Sequence, residues 1–421
     1  MCCVWRLRAF VTTWVTAPTP TCFHSMFIPR ARSDQRQWKY EKASLAMFDQ
    51  MMSKNPSLKT KLLTKYKLED KDLNFIKNLI CPPSQDDEQK KFDDDRDNKK
   101  SFLYEIVANK QSEIDVDKWD YLLRDCLHLG MRSNFDHDRF ICFARVIKVL
   151  GKYRICVRDK EEFSVYQLFQ TRHSLYKKAY RHRVCNAVES MFVEILMLAE
   201  QVPLIPGKSG QLRTVSQCID DMTAYTNLTD YIFHQIRIST GVNLKKARDL
   251  LQALDERRLF WCVGESRPIA KSKCEILNED NLIALDKEEK VKKSLMKLIE
   301  DLKFPHIPEE RILVQVVTLD FGKKNLNPLA NLCFYTKHNV NLAQHVNPEE
   351  VSHLFPKEQF QEQVVRVYLK HYWDEEERLI VDHKEDASFV GKAFKLWCEK
   401  NELEKPKLFF QVCQVPIQEE V

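Results

Sequence analysis

Between Ser101 and about Phe260, apolar residues recur at three- and four-residue intervals almost without a break. That periodicity commits the stretch to amphipathic helices. The segment "DVDKWDYLLRDCLHLG", residues 115–130, shows the pattern most plainly. Val116, Trp119, Leu122, Leu123, Cys126, Leu127 and Leu129 form an expected buried stripe, while Asp117, Lys118, Tyr121, Arg124, Asp125 and His128 gather on the other face. So dense a polar face predicts a use beyond solubility. The chain has only eight glycines in 421 residues and no GxxxxGK(S/T) or GxGxxG string. Glycine-rich phosphate loops are therefore excluded.

The rest of the chain divides around this helical body. Residues 1–25, mildly apolar but broken by Arg6 and Arg8, are expected to lie outside the fold as a foreign leader. A partial helical domain is expected over 26–260, with the charged stretch "CPPSQDDEQKKFDDDRDNKK" (81–100) as an exposed loop. One long helix is predicted from Val165 to Gln201, and another over "TVSQCIDDMTAYTNLTDYIFHQI", opened by Thr214 or Ser216. From residue 261 to 421 a smaller α+β lobe is predicted. "RILVQVVTLDFG", "LANLCFYTK" and "EQVVRVYLKHY" have strand texture, and "ASFVGKAFKLWCEKN" is a closing helix. The expected fold class is mainly α.

Several motifs mislead. "DFG" at Asp320–Gly322 has no other kinase element beside it and predicts a strand end and turn. The His137–Asp138 pair predicts a surface turn and helix start. No CxxC pair occurs, and Cys126, Cys142, Cys185, Cys262 and Cys333 sit inside apolar runs, as buried thiols in a reducing compartment would. The net charge of +5 is spread along the chain and permits nucleic-acid binding without signalling it. No run approaches the about 18 apolar residues of a membrane span.

In "FQTRHSLYKKAYRHRV", Arg172, Tyr176 and Tyr180 stand at i, i+4 and i+8 and would share one helix face. Lys177, Lys178, Arg181, His182 and Arg183 crowd the neighbouring faces. For either helix alone, core tyrosines and a solvated basic surface would be sufficient explanation. Two helices that both present cations and tyrosines suit a phosphorylated, ring-bearing ligand better.

"KSFLYEIVANKQSEIDVDKWDYLLRDCLHLG", "RFICFARV", "YQLFQTRHSLYKKAYRHRV", "IDDMTAYTNLTDYIF" and "RRLFWCVGE" closely resemble the SAM- and HD-domain deoxynucleoside triphosphate triphosphohydrolases of animals, from about Met26 to about Pro406. The resemblance implies an HD-domain-like helical bundle, incomplete at its N-terminus and without a SAM domain. It also implies an activity that cuts a dNTP into deoxynucleoside and triphosphate and so lowers dNTP pools. Asp117 matches a ligand of the family's divalent metal (Zn, Mn, Fe or Mg). Lys118, Tyr121, Asp125, Arg172, Tyr176 and Tyr180 match substrate-binding positions. Arg139, Lys160, Lys178, His182, Arg183, Arg257 and Lys337 match positions that hold the GTP and dNTP effectors, with Mg, between subunits of a tetramer.

The sequence departs from that pattern at the chemistry. The family's His and HD metal ligands precede the matched segment, whose upstream flank here holds only His24, and three expected histidines are Tyr40, Leu127 and Tyr176. The resemblance therefore implies either a sequence missing the family's metal motif or a diverged copy, with little or no activity and no metal held. A nucleotide-binding regulator that assembles with itself or with an intact relative is the alternative, and a single-stranded nucleic-acid binder the third. A nuclear or cytoplasmic, non-secreted protein is expected.

Overall fold

The computed structural model describes residues 22–81, 100–107, 109, 111–269, 284–345, 351, 356 and 358–409. The charged loop expected over 81–100 lies, apart from its two ends, outside the described residues, as do residues 1–21. In chain order the described α-helices of six residues or more are α1 (Tyr40–Lys54), α2 (Pro56–Thr64), α3 (Asp70–Ile80), α4 (Val116–His128), α5 (His137–Phe143), α6 (Glu162–Leu175), α7 (Arg183–Ala199), α8 (Met222–Asn227), α9 (Tyr231–Ile238), α10 (Lys245–Asp255), α11 (Ala284–Asp301) and α12 (Lys384–Lys400). The strands are β1 (Arg145–Val149), β2 (Lys152–Arg158), β3 (Ile205–Pro206), β4 (Leu212–Arg213), β5 (Trp261–Glu265), β6 (Ile312–Asp320), β7 (Cys333–Tyr335), β8 (Ala343–His345), β9 (Gln361–Leu369), β10 (Tyr372–Trp373), β11 (Leu379–Ile380) and β12 (Lys407–Leu408). The fold is mainly α with a smaller C-terminal α+β region, as the periodicity predicts.

The chain forms two compact units. The first contains residues 22–175, 193–247 and 321–360 and the second 176–192, 248–320 and 361–409. In the first, α3 is opened by a reciprocal capping box between Glu69 and Asp72. Its Leu73, Ile76, Leu79 and Ile80 pack with Phe48 and Met52 of α1, Leu62 of α2 and Leu103. Beside this helical core runs the sheet β1-β2-β7-β8, antiparallel at both flanks with β2 and β7 parallel at its centre. Cys22 and Phe23, expected outside the fold, are buried at 1% exposure, because Phe23 packs on Phe27 and Trp38.

In the second unit, β12-β5-β9-β6 form an antiparallel sheet. Val364 to Leu369 of β9 are all buried, which is why "VVRVYL" reads as a near-continuous apolar run. Val314, Val316, Val365 and Val367 meet Val291 and Leu295 of α11 and Val390, Phe394 and Trp397 of α12. At Gly264 a Cβ would stand 2.9 Å from Leu408 Cδ2, 3.1 Å from Phe394 and 3.2 Å from the Lys407 carbonyl, so any side chain there would make these neighbours shift.

Local readings fared unevenly. Asp320 does end a strand, and Gly322 turns at φ +102°. His137 does start a helix, capped by the Asp136 carboxylate on the Arg139 N–H. The single helix expected from Val165 to Gln201 is broken: α6 ends at Leu175, Tyr176–Tyr180 form a π-helical turn, and α7 starts at Arg183. Neither Thr214 nor Ser216 caps a long helix, because both hydroxyls donate to the Glu200 carboxylate. The cap is Asp221, which opens α8 by accepting from the Thr223 and Ala224 N–H groups. Cys126 and Cys333 are buried as expected, whereas Cys142 and Cys185 are exposed. No helix among the described residues is long and apolar enough to cross a membrane.

Candidate functional site

Helix α4 is built on Asp115. With extended backbone (φ −152°, ψ 165°), this residue accepts from the Lys118 N–H at 3.0 Å and so satisfies one of the donors that a helix N-terminus leaves unpaired. The same carboxylate accepts from the Asn109 N–H at 2.9 Å, tying the helix start to the preceding loop. The buried stripe is narrower than the seven apolar positions suggest. Leu122 and Cys126 are fully buried, while Val116, Leu127 and Leu129 are 39%, 77% and 52% exposed. Those three flank the seam instead of lying on it.

Asp117 is exposed in the first turn, and Tyr121 and Asp125 are half-buried on the polar side. The Asp125 carboxylate accepts from Arg124 Nη1 at 3.3 Å. Lys118 is more constrained. Its Nζ lies 2.7 Å from Glu113 and 3.2 Å from Asp115, and Glu113 also has Lys323 Nζ at 3.8 Å. Burial alone would lower the ammonium's pKa, but the Asp115 and Glu113 carboxylates outweigh it and hold the pKa above the usual lysine value. Two cations thus alternate with two carboxylates, and a phosphate reaching Lys118 must share it with Glu113 and Asp115. Glu113, Asp115 and Lys323 were not anticipated beside the polar face of α4, the wall that carries Lys118. Asp115, three residues before Lys118, carried the one local signal, that of an N-cap.

Arg172, half-buried in the last turn of α6, lies against the DFG turn. A Cβ on Gly322 would stand 3.3 Å from its Nε and 3.4 Å from its Cζ, so glycine leaves the space the guanidinium passes through. Phe321 stacks on His173 at 5.3 Å and Tyr166 at 6.0 Å, holding the turn against the helix.

Asp117, Lys118, Tyr121, Asp125 and Arg172 belong to the first unit, Tyr176 and Tyr180 to the second. The two tyrosines meet edge-on at 5.1 Å and 88° within the π-helical turn. Tyr176 packs on Val317, Leu319 and Val364.

Of the expected effector positions, the first unit holds Arg139, Lys160 and Lys337. The structure joins Arg139 and Lys160 through Phe143. The guanidinium carbon of Arg139 lies 5.2 Å, and Lys160 Nζ 3.8 Å, from the centre of that ring. Arg139 also makes a bidentate pair with buried Glu161, at 2.7 and 2.8 Å. Lys337 is exposed beyond β7. In the second unit Lys178 and His182 are exposed, Arg183 lies 4.0 Å over the Phe409 ring, and Arg257 turns at φ +58°.

A metal fits these residues poorly. Among the described residues there is no group of three or more His, Cys, Asp or Glu side chains able to hold one, and Asp117, the expected ligand, is exposed in the first turn of α4. His24 and Tyr40 lie ring to ring, 5.3 Å apart.

No protein-family model matches the chain. It is, however, 38% identical over 400 residues to the deoxynucleoside triphosphate triphosphohydrolase SAMHD1 of Xenopus laevis, covering 93% of this chain and 60% of that relative. The chain is similar to this family over nearly its whole length. The SAMHD1 of Homo sapiens is 38% identical over 392 residues, covering 93% of this chain and 59% of the relative. The SAMHD1 homolog of Dictyostelium discoideum is 31% identical over 301 residues. The chain thus spans about 60% of the length of the curated vertebrate relatives it matches. The mainly helical fold with its C-terminal α+β region is consistent with an HD-domain-like bundle.

Proposed function

We propose that this chain binds deoxynucleoside triphosphates through the α4 wall and Arg172, and that by itself it turns them over weakly or not at all. The supporting observation is the match over 93% of its residues to relatives named as dNTP triphosphohydrolases, and the two cations proposed for phosphate, Lys118 and Arg172, belong to one compact unit. In this reading Arg172 donates to phosphate oxygens with its planar fork, and Lys118 supplies a point charge already buffered by Glu113 and Asp115. Tyr121 offers a flat face to the deoxyribose, and Asp125 accepts from a sugar hydroxyl. Hydrolysis would require a metal to generate the attacking hydroxide, and the described residues do not assemble its ligands.

The basic positions favour a second element of the same proposal. Arg139 and Lys160, gathered around Phe143, and Lys337, Lys178, His182, Arg183 and Arg257 would repel their counterparts across an oligomer interface unless an anion bridged them. GTP or a dNTP, with Mg²⁺, is a suitable bridge, so the chain would assemble with itself or with an intact relative when nucleotide is present.

Calorimetric titration with dGTP tests binding. Chromatography for deoxyguanosine and triphosphate, with GTP and Mn²⁺ or Mg²⁺, tests turnover. Saturable binding without family-like turnover is expected. Absence of binding overturns the wall, and turnover that vanishes in Asp117→Ala overturns the weak-hydrolase reading.

A further inference from the structure

The loop that leads into α4 holds one residue in a conformation that its side chain disfavours. Glu113 turns at φ +60°, in the left-handed region that glycine enters freely and a residue with a Cβ enters at a cost. The loop fixes it there. The Glu113 N–H donates to the Asn109 carbonyl at 2.9 Å, and the Asn109 side chain accepts from the Gln111 and Ser112 N–H groups, both at 3.0 Å. Strain of this kind persists where the surroundings over-determine it.

What the turn delivers is a carboxylate between two lysines. Oε2 of Glu113 stands 2.7 Å from Lys118 Nζ, and Oε1 stands 3.8 Å from Lys323 Nζ. Lys323 directly follows Gly322, the glycine whose missing side chain leaves room for Arg172. All of these residues lie in the first unit. The two carboxylates beside Lys118 differ in how firmly they are held. Asp115, its side chain 2% exposed, also accepts from the Asn109 and Lys118 N–H groups and is bound into the start of α4. The Glu113 side chain is 21% exposed, and among the described residues its carboxylate is paired with the two ammonium groups alone. Glu113 is the one that can leave.

We propose that Glu113 is a built-in competitor for phosphate, its carboxylate taking between Lys118 and Lys323 the place that oxygens of an incoming triphosphate would take. This rests on the reading of the α4 wall as a phosphate-binding surface. A carboxylate presents two acceptor oxygens and a negative charge to an ammonium pair, as a phosphate group does. A phosphate that reaches both lysines must first release the carboxylate to solvent. The apparent dissociation constant is then raised by the inverse of the fraction of molecules in which the lysines are open. The penalty falls on phosphate-bearing ligands and leaves contacts to the nucleoside untouched.

Calorimetric titration of the full chain with dGTP, inorganic triphosphate and deoxyguanosine tests this. Glu113→Gln keeps the length of the side chain and removes its charge, whereas Glu113→Gly removes the carboxylate and suits the left-handed turn. Each variant should bind dGTP and inorganic triphosphate about fivefold to tenfold tighter than the unmodified chain, between the worth of an exposed ion pair and that of a charge-assisted hydrogen bond. Deoxyguanosine should bind no tighter. Affinity of Glu113→Gln for dGTP that is weaker than, or within about twofold of, that of a binding-competent unmodified chain would overturn the proposal and leave the dNTP-binding reading standing. An equal gain for deoxyguanosine would also overturn it, since the effect would not belong to phosphate. If no form of the chain binds either phosphate ligand, both readings fall. The glutamine variant, which leaves the backbone alone, decides the matter even if the glycine variant fails to fold.

Discussion

Replacing Asp115 by alanine should loosen the start of α4, and with it the wall that carries Asp117, Lys118 and Tyr121. Asp115 is 3% exposed and its carboxylate serves three donors. Loss of the N-cap costs about 1 kcal/mol. The Asn109 N–H, in a residue 4% exposed, loses its partner, a further ~1–3 kcal/mol. Lys118 keeps Glu113 at 2.7 Å, so the loss of its second carboxylate adds little. The sum is about 3 kcal/mol, or a roughly hundredfold rise in the local opening of α4. Hydrogen exchange read by mass spectrometry on peptides covering 116–128 measures that opening directly, without assuming that the two units unfold together. Asp115→Asn separates the contributions: asparagine keeps the cap on the Lys118 N–H, but its NH2 in place of Oδ2 cannot accept from the Asn109 N–H, so its exchange should rise by only the cap's ~1 kcal/mol less than that of the alanine variant. An Asp115→Ala helix that exchanges within about threefold of the unmodified one, below ~1 kcal/mol, would refute the reasoning. So would an Asn variant as labile as the Ala variant, since the cap geometry would then be irrelevant.

Three further outcomes follow from other parts of the molecule. Gly322→Ala, which forces a side chain onto φ +102° and a Cβ within 3.3 Å of Arg172 Nε, should weaken dGTP binding in calorimetry. The effect should approach, without exceeding, that of Arg172→Ala, about 1.5–3 kcal/mol for a charged donor to phosphate; unchanged affinity would show that the DFG turn does not position the guanidinium. In the second unit His383 contacts His371 Nδ1 at 3.1 Å and Arg311 at 3.3 Å, and burial, His371 and Arg311 push its pKa down to about 4. The unfolded chain takes up that proton near pH 6.5. Stability is therefore full above pH 6.5 and drains as pH falls toward 4, by up to about 3 kcal/mol. Melting curves between pH 7.5 and 4.5 should be flatter in pH for His383→Gln, and identical pH dependence would count against the buried neutral pair. Glu105→Ala should destabilise the first unit by roughly 3–5 kcal/mol, because Arg154 is 8% exposed and would be left a buried charge without its partner. A change below ~1 kcal/mol in urea unfolding would mean that Arg154 finds another carboxylate or water.

The features legible in the sequence were those whose causes act within a few residues. Periodicity located α4 and α12, and the β-branched runs located β6, β7 and β9. A glycine after Asp-Phe marked the turn at Gly322, and the residues before Phe140 marked the start of α5. Motif resemblance pointed to the relatives that the chain matches. Packing decided the rest, because the deciding partners are far apart along the chain. Arg139 meets Glu161 22 residues away, Arg154 meets Glu105 at a separation of 49, and Tyr176 lies on residues of β6 and β9. The i, i+4, i+8 spacing of Arg172, Tyr176 and Tyr180 presumes an unbroken α-helix, and a π-helical turn at Tyr176–Tyr180 is invisible to a count made at 3.6 residues per turn. Thr214 and Ser216 have cap-forming side chains, yet Glu200 takes both hydroxyls, so the helix start falls to Asp221. Lys118 shows the division most clearly. Its charge and its place on the polar face of α4 were written in the residues 115–130, while the tertiary packing that brings Lys323 to Glu113 decided how much of that charge is left for a ligand.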